Sequence, residues 1–205
     1  MPDSIIERTP EVSEISWWRG DALAGMACCA IGLAVFGAYY WLNIREGLWV
    51  ALACYVLGAM FLLRASRRWN GKRVEASALK QLARRMPKNW GLTPNMRVPG
   101  LGDCDGYVVV DQTAGYCLEI KSTRSVIYKN VLMGREKLTD RQGRPLHKDP
   151  VAQAKAVAKR LSAEPVLWFP RANPPTEVRM RCGVLLVLGN EKQLIRAINR
   201  WHARR

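Results

Sequence analysis

The chain has 205 residues, 49% of them hydrophobic, with a formal charge of +15. This composition excludes a disordered chain, and the length suits one full domain plus an accessory segment. Residues 1–63 hold three basic and six acidic side chains, but residues 64–205 hold 29 and 11, a net of +18 that excludes a simple soluble domain. Six cysteines occur without C-x-x-C spacing, and the histidines are His147 and His202. Zinc-finger and disulfide-scaffold classes are therefore excluded, and a His-dependent mechanism has little material. The thiols read as reduced, buried small hydrophobes, with Cys28, Cys29 and Cys54 in apolar runs and Cys104, Cys117 and Cys182 in strands.

Two apolar runs come first. Ala22 to Ile44 is 23 residues without a formal charge, and Gly47 to Leu63 is 17. As helices they span roughly 34 and 26 Å, against a bilayer core of about 30 Å. Arg64 can snorkel to lengthen the second. Only Arg45 and Glu46 separate them, so they read as a transmembrane hairpin. Trp17, Trp18, Tyr39, Tyr40, Trp41, Trp49 and Trp69 stand where interfacial aromatics belong. Arg64, Arg67, Arg68, Lys72 and Arg73 follow the second run. The positive-inside rule then puts both termini in the cytoplasm and the turn outside. A signal peptide would want a basic start, and residues 1–21 are net acidic. A helical hairpin buried in a soluble core is the other competitor. Gly25, Cys28, Gly32, Gly37 and Gly58 would allow close helix packing, or are ordinary membrane-helix composition. The expected organisation is an N-terminal tail (1–20), a hairpin (21–64) and a cytoplasmic domain (65–205).

In the cytoplasmic part, helical spacing runs from Ser66 to Met86 and ends at Pro87. Asn95 to Gly102 reads as a connector. Cys104–Val110 and Tyr116–Lys121 read as strands joined by a polar turn. Val126–Leu132 and Lys137–Leu146 read as further strands or hairpin arms. Pro150–Ser162 reads as a helix with proline in its first turn. Val178–Leu188 reads as one apolar strand, and Glu191–Trp201 as a basic amphipathic helix. The mixture predicts an α/β domain with a central sheet.

If Val110 pairs with Tyr116, Asp105 lies opposite Lys121, and Tyr107 opposite Glu119. Asp105, Glu119 and Lys121 then project from one face near one end of the hairpin. Two carboxylates and a lysine there can hold a hard divalent cation, which polarises a phosphate and acidifies bound water. The lysine would stabilise developing negative charge. The competing reading is a Glu–Lys pair on a solvent-facing sheet face. Glu75 shares a helical stripe with Leu79, Leu82 and Met86, as a third acidic group or as a boundary residue. Gln153 opens the later helix, and by itself it reads as an exposed polar residue.

Gly102-Asp103-Cys104-Asp105 followed by Leu118-Glu119-Ile120-Lys121-Ser122 resembles the PD-(D/E)xK nuclease core. With Gly71-Lys72-Arg73-Val74-Glu75 before it and Asp149-Pro150-Val151-Ala152-Gln153 after it, the set resembles the nuclease-related domain (NERD) family. The resemblance covers about residues 71–153. It implies a restriction-endonuclease-like core, a mixed central sheet flanked by helices, preceded here by the two-helix transmembrane hairpin. It also implies Asp105 and Glu119 as ligands to Mg²⁺ or Mn²⁺, with the Ile120 carbonyl as a third. Lys121 would be the catalytic lysine, Glu75 the acidic residue of the first helix, and Gln153 the glutamine that reaches the site. Asp103 competes with Asp105 as the ligand, and the family pattern favours the second aspartate. Aspartate stands where the family more usually has asparagine before Pro150.

The +18 of residues 64–205 fits a polyanion. Arg124, Lys129, Arg135, Lys137, Arg141, Arg144 and Lys148 follow the candidate site and are the expected nucleic-acid contacts. Arg196, Arg200, Arg204 and Arg205 form a second basic group. Adhesion to anionic lipid competes. No base-reading motif is visible, so backbone recognition without strong sequence preference is expected. The expectation is an integral protein of a bacterial inner membrane that hydrolyses nucleic acid, DNA in preference. A non-catalytic module binding nucleic acid or anionic membrane on the same fold is the alternative.

Overall fold

The computed structural model describes residues 15–42, 47–124, 126–131, 135–140, 142–144, 146 and 149–204. Two compact units meet in sequence between Arg73 and Val74.

The first unit holds helix α1 (Ile15–Leu42) and the N-terminal part of helix α2 (Gly47–Arg85). Both are long and apolar enough to cross a membrane. Only 11% and 17% of their most apolar stretches are buried within the protein, unlike the core helices of a soluble protein. Leu23, Ile31, Leu33, Leu52, Val56, Met60 and Leu63 are all exposed. Glycines make the contact between the two helices. A Cβ on Gly58 would lie 2.6 Å from Cys29 Sγ and 3.0 Å from the Gly25 carbonyl oxygen. Gly32 approaches the Ala51 carbonyl in the same way, whereas Gly37 faces open space. Asp21 closes one end of the pair, accepting from Arg68 at 2.6 Å, with Arg64 at 3.8 Å.

The separate helix expected over Ser66–Met86 is a continuation of α2. No proline interrupts residues 47–85, and arginine and alanine are good helix formers. Its last turns, from Val74, belong to the second unit.

That unit is built on a six-stranded mixed sheet in the order β1-β2-β3-β6-β8-β7. The strands are β1 (Trp90–Val98), β2 (Gly102–Val110), β3 (Ala114–Ile120), β6 (Glu164–Phe169), β7 (Thr176–Arg179) and β8 (Leu185–Leu188). A separate hairpin pairs β4 (Ile127–Val131) with β5 (Arg135–Thr139). Helix α3 (Pro150–Arg160) forms the crossover between parallel strands β3 and β6, and α4 (Glu191–His202) follows β8.

The helices cover both sheet faces. Ala78, Leu79 and Leu82 of α2 and Leu194, Ala197, Ile198 and Trp201 of α4 pack on Val108, Val110, Leu118, Ile120, Val166 and Leu185. On the other face Val157 and Ala158 of α3 pack with Cys104 and Cys117. Tyr128 and Leu138 of the small hairpin cover Leu167, Phe169, Leu186 and Leu188. Trp168 is fully buried, and its indole N–H donates to the Gly189 carbonyl at 2.7 Å.

Other parts also differ from expectation, among them β6, which lies where no strand is expected. The segment read as a connector from Asn95 belongs largely to β1, an edge strand that tolerates Pro94 because its outer side has no strand partner among the described residues. The single strand expected over Val178–Leu188 is the hairpin of β7 and β8, reversed at Gly183 with a φ of +89°. Cys182 consequently sits in an exposed turn and not in a buried strand.

Candidate active site

The β2–β3 register is two residues from the assumed one. Val110 pairs with Ala114, and Tyr107 pairs with Cys117 instead of Glu119. The turn is Asp111–Thr113, tightened by Thr113 N donating to the Val110 carbonyl. Asp111 and Gln112 adopt positive φ there. A two-residue shift preserves which face each side chain takes. It does abolish the expected pairing of Asp105 with Lys121.

A different device brings Asp105 to β3. The β2–β3 ladder ends at Gly106 opposite Leu118. Beyond it, strict alternation fails. Val108 and Val110 face α2 and α4, yet Cys104 joins Cys117 on the α3 side, with the sulfurs 2.9 Å apart. At this irregularity the Asp105 carboxylate takes over the ladder, and its Oδ2 accepts from Ile120 N at 2.6 Å. Hydrogen bonding to Cys104, then burial, keeps the Cys117 thiol protonated, so the pair behaves as packing material.

Glu119 and Lys121 flank Ile120 at the end of β3. Glu119 is 2% exposed, and its Oε1 accepts from Lys121 Nζ at 2.5 Å. Lys121 remains one-third exposed. Its backbone N–H donates to the Trp168 carbonyl, which holds this end of β3 on β6. Ile120 is fully buried and anchors the segment in the core.

Glu75 is half-buried on α2, one turn before Leu79. Its charge bears on Asp105. Burial first, then the negative charges of Glu119 and Glu75, push the Asp105 carboxyl up to about 8. The Ile120 N–H and the Lys121 ammonium oppose that rise. Four expected residues, Glu75, Asp105, Glu119 and Lys121, are thus electrically one cluster.

Gln153 lies on α3, the helix that packs on β3, and is half-buried. Its side chain makes no hydrogen bond among the described residues. The Asp149 that replaces the usual asparagine is the N-cap of α3, accepting from Val151 N and Ala152 N. Aspartate caps as well as asparagine, so this departure leaves the helix start intact. Asp103 stands opposite Arg97 of β1. Among the described residues no three His, Cys, Asp or Glu side chains form a metal-holding group. The expected set has two such side chains and a backbone carbonyl.

The expected nucleic-acid contacts divide. Arg124 and Lys129 are exposed. Lys129 stands directly opposite Lys137 in the β4–β5 ladder, and Arg135 opposite Val131. Arg144 is exposed, and its guanidinium pairs with Asp140 at 3.0 Å. Arg141 and Lys148 lie outside the described residues. Two hydrogen bonds to Glu136, which no local sequence pattern signals, fix the small hairpin. Glu136 accepts from the Tyr128 hydroxyl and from Arg181 N, both at 2.7 Å.

The comparison with solved structures finds a similarity to a chain in a refined half-complex from a tetradecameric assembly of Thermococcus gammatolerans McrB AAA+ hexamers with bound McrC. The likeness has 15% identity and a TM-score of 0.39, covering 63% of this chain and 33% of the other, so this chain spans about one third of that one's length. No curated protein matches the chain significantly. The model of the nuclease-related domain matches residues 70–177, more than half the sequence, including both strands of the cluster and the helix that carries Gln153. The chain belongs to the nuclease-related domain family.

Proposed function

We propose that the protein is a membrane-anchored, divalent-metal-dependent nuclease that hydrolyses phosphodiester bonds, with DNA as its preferred substrate. The gathering of Asp105, Glu119 and Lys121 around Ile120 carries this reading. The donor set fits a hard cation, since two carboxylates and a neighbouring carbonyl are oxygen ligands. Burial first, then the negative charges of Glu119 and Glu75, raise the Asp105 carboxyl, and a bound cation would offset both.

Asp105, Glu119 and the Ile120 carbonyl would hold Mg²⁺ or Mn²⁺. When bound, such an ion supplies a Lewis acid and acidifies its water. Lys121 orients Glu119, and its exposed ammonium stabilises negative charge developing on the attacked phosphate. Glu75 keeps the site acidic from α2. Gln153 positions the phosphate or its water from α3. Lys129, Lys137 and Arg135 on the small hairpin, with Arg124, Arg141, Arg144 and Lys148, bind backbone phosphates.

The two apolar helices anchor the protein in a bacterial inner membrane, with both termini and the catalytic domain in the cytoplasm. Their exposed apolar surface and the basic residues after Leu63 support this. In this reading the domains are the tail 1–20, the hairpin 21–64 and the nuclease-related domain 65–205. The test is incubation of the full chain and Glu119→Ala with DNA and RNA in Mg²⁺, Mn²⁺ or EDTA.

One observation favours a second reading, a non-catalytic module that binds nucleic acid or anionic membrane. The net charge of +18 on residues 64–205 supports polyanion binding without any cleavage. That module would bind DNA equally well with Glu119→Ala and with EDTA.

A further inference from the structure

The second unit has a recess of about 330 Å³ lined by Glu177, Arg179, Leu185, Arg200, Trp201 and Arg204. Four of these residues belong to β7, β8 and the last turn of α4, beyond Glu177 where the family match ends. Arg179 pairs with Leu185 in the ladder, and Leu185 packs with Trp201 on the α2–α4 face. Glu119 pairs with Leu167, which packs on the opposite face. Arg179, Leu185, Val166 and Leu118 form a row across the sheet. From Arg179 this row reaches β3 after three strand spacings, about 14 Å, and the sheet lies between the recess and Glu119.

The Arg179 guanidinium lies 3.6 Å from the Trp201 ring centroid. Stacking fixes its plane and leaves its N–H edge available. Arg200 is paired with Glu177. Among the described residues neither Arg179 nor Arg204 has a carboxylate partner. Arg200 and Arg204 also complement the negative end of α4, but Arg179 comes from a different element and has no such role. Two unpaired guanidinium groups converging on a recess suit a bidentate phosphate.

We infer that this recess binds a phosphate monoester, at a site separate from the Glu119–Lys121 pair. A concave recess admits a protruding phosphate ester, whereas a flat headgroup array suits an exposed basic face. The inference does not depend on nuclease activity.

The test uses the full chain in zwitterionic nanodiscs with EDTA, probed with inorganic phosphate and thymidine 5′-monophosphate. Phosphate should protect Arg179 and Arg204 from phenylglyoxal about fivefold, read by mass spectrometry, and leave Arg84 unprotected. Calorimetry should show binding weakened about tenfold in Arg179→Leu/Arg204→Leu, and within about twofold of the parent in Lys192→Gln and Glu119→Ala. Absence of protection would overturn the inference. So would an equal loss in Lys192→Gln, or a loss confined to Glu119→Ala. A soluble short-chain phosphatidylglycerol that displaces the nucleotide with higher affinity would overturn the ligand class. The protection measurement needs no variant, so a misfolded double variant leaves the test intact.

Discussion

Replacing Asp105 by asparagine should stabilise the metal-free protein, in a pH-dependent way. The folded-state carboxyl stands at about 8 against an ordinary value of 3.8. Between those values the folded protein holds a proton that the unfolded chain has released. Stability therefore falls as pH rises through that window, and this group adds no further slope above about 8. By pH 7 the interval is about three units, each worth roughly 1.4 kcal/mol, which sets an upper limit of about 4 kcal/mol. Water entry and relaxation reduce such figures, so a gain of about 2 kcal/mol is expected. Asparagine suits the test because its carbonyl can still accept from Ile120 N. The assay is amide exchange of β3 in the full chain, in detergent with EDTA, at pH 4.5 and 7.5. Asp105→Asn should slow exchange at pH 7.5 by about thirtyfold, the factor that 2 kcal/mol implies, with little change at pH 4.5. Mg²⁺ should erase the advantage by stabilising the parent alone. Equal effects at both pH values, or destabilisation at pH 7.5, would refute the electrostatic account.

Other predictions are simpler. Lys121→Met should lower DNA cleavage by about 10² or more while DNA affinity stays within about twofold, compared by single-turnover kinetics and filter binding. Gly58→Leu should overpack the contact with Cys29 and Gly25 and destabilise the α1–α2 pair by about 1–3 kcal/mol, read by thermal unfolding in detergent. Trp168→Phe leaves the buried Gly189 carbonyl without its donor and should cost about 1–3 kcal/mol, measured by denaturant unfolding. Lys129→Ala should reduce the slope of log affinity against log salt by about one phosphate contact, with no change in sequence preference.

What could be read from the sequence follows the strength of local signals. The apolar runs, the strands around Tyr107 and Glu119, and the capped helices after Asp149 and Asn190 each carry a strong pattern. β1 was missed because an edge strand with Pro94, Asn95 and Arg97 has the composition of a connector. β6 was missed because a parallel strand buried on both faces has no alternation to detect. The β7–β8 reversal depends on Gly183 alone among its turn residues, inside a stretch otherwise suited to one strand. The two-residue spacing of Glu119 and Lys121 suffices to bring them together, because they flank Ile120, the last residue of β3. The route by which Asp105 reaches β3 was not legible. It depends on a broken alternation at Cys104 and on a side chain replacing a ladder bond, and neither leaves a local trace. The proximity of Glu75 was only suggested by its stripe, since helix-to-sheet docking is decided by packing of Leu79 and Leu82.

The most direct test of the central claim is cleavage of linear and circular DNA by the full chain and its Glu119→Ala variant, each with Mg²⁺, Mn²⁺ or EDTA. The account predicts cutting by the parent only with metal, and none by the variant under any condition. Binding of DNA without cleavage by either protein, in every metal, would contradict it.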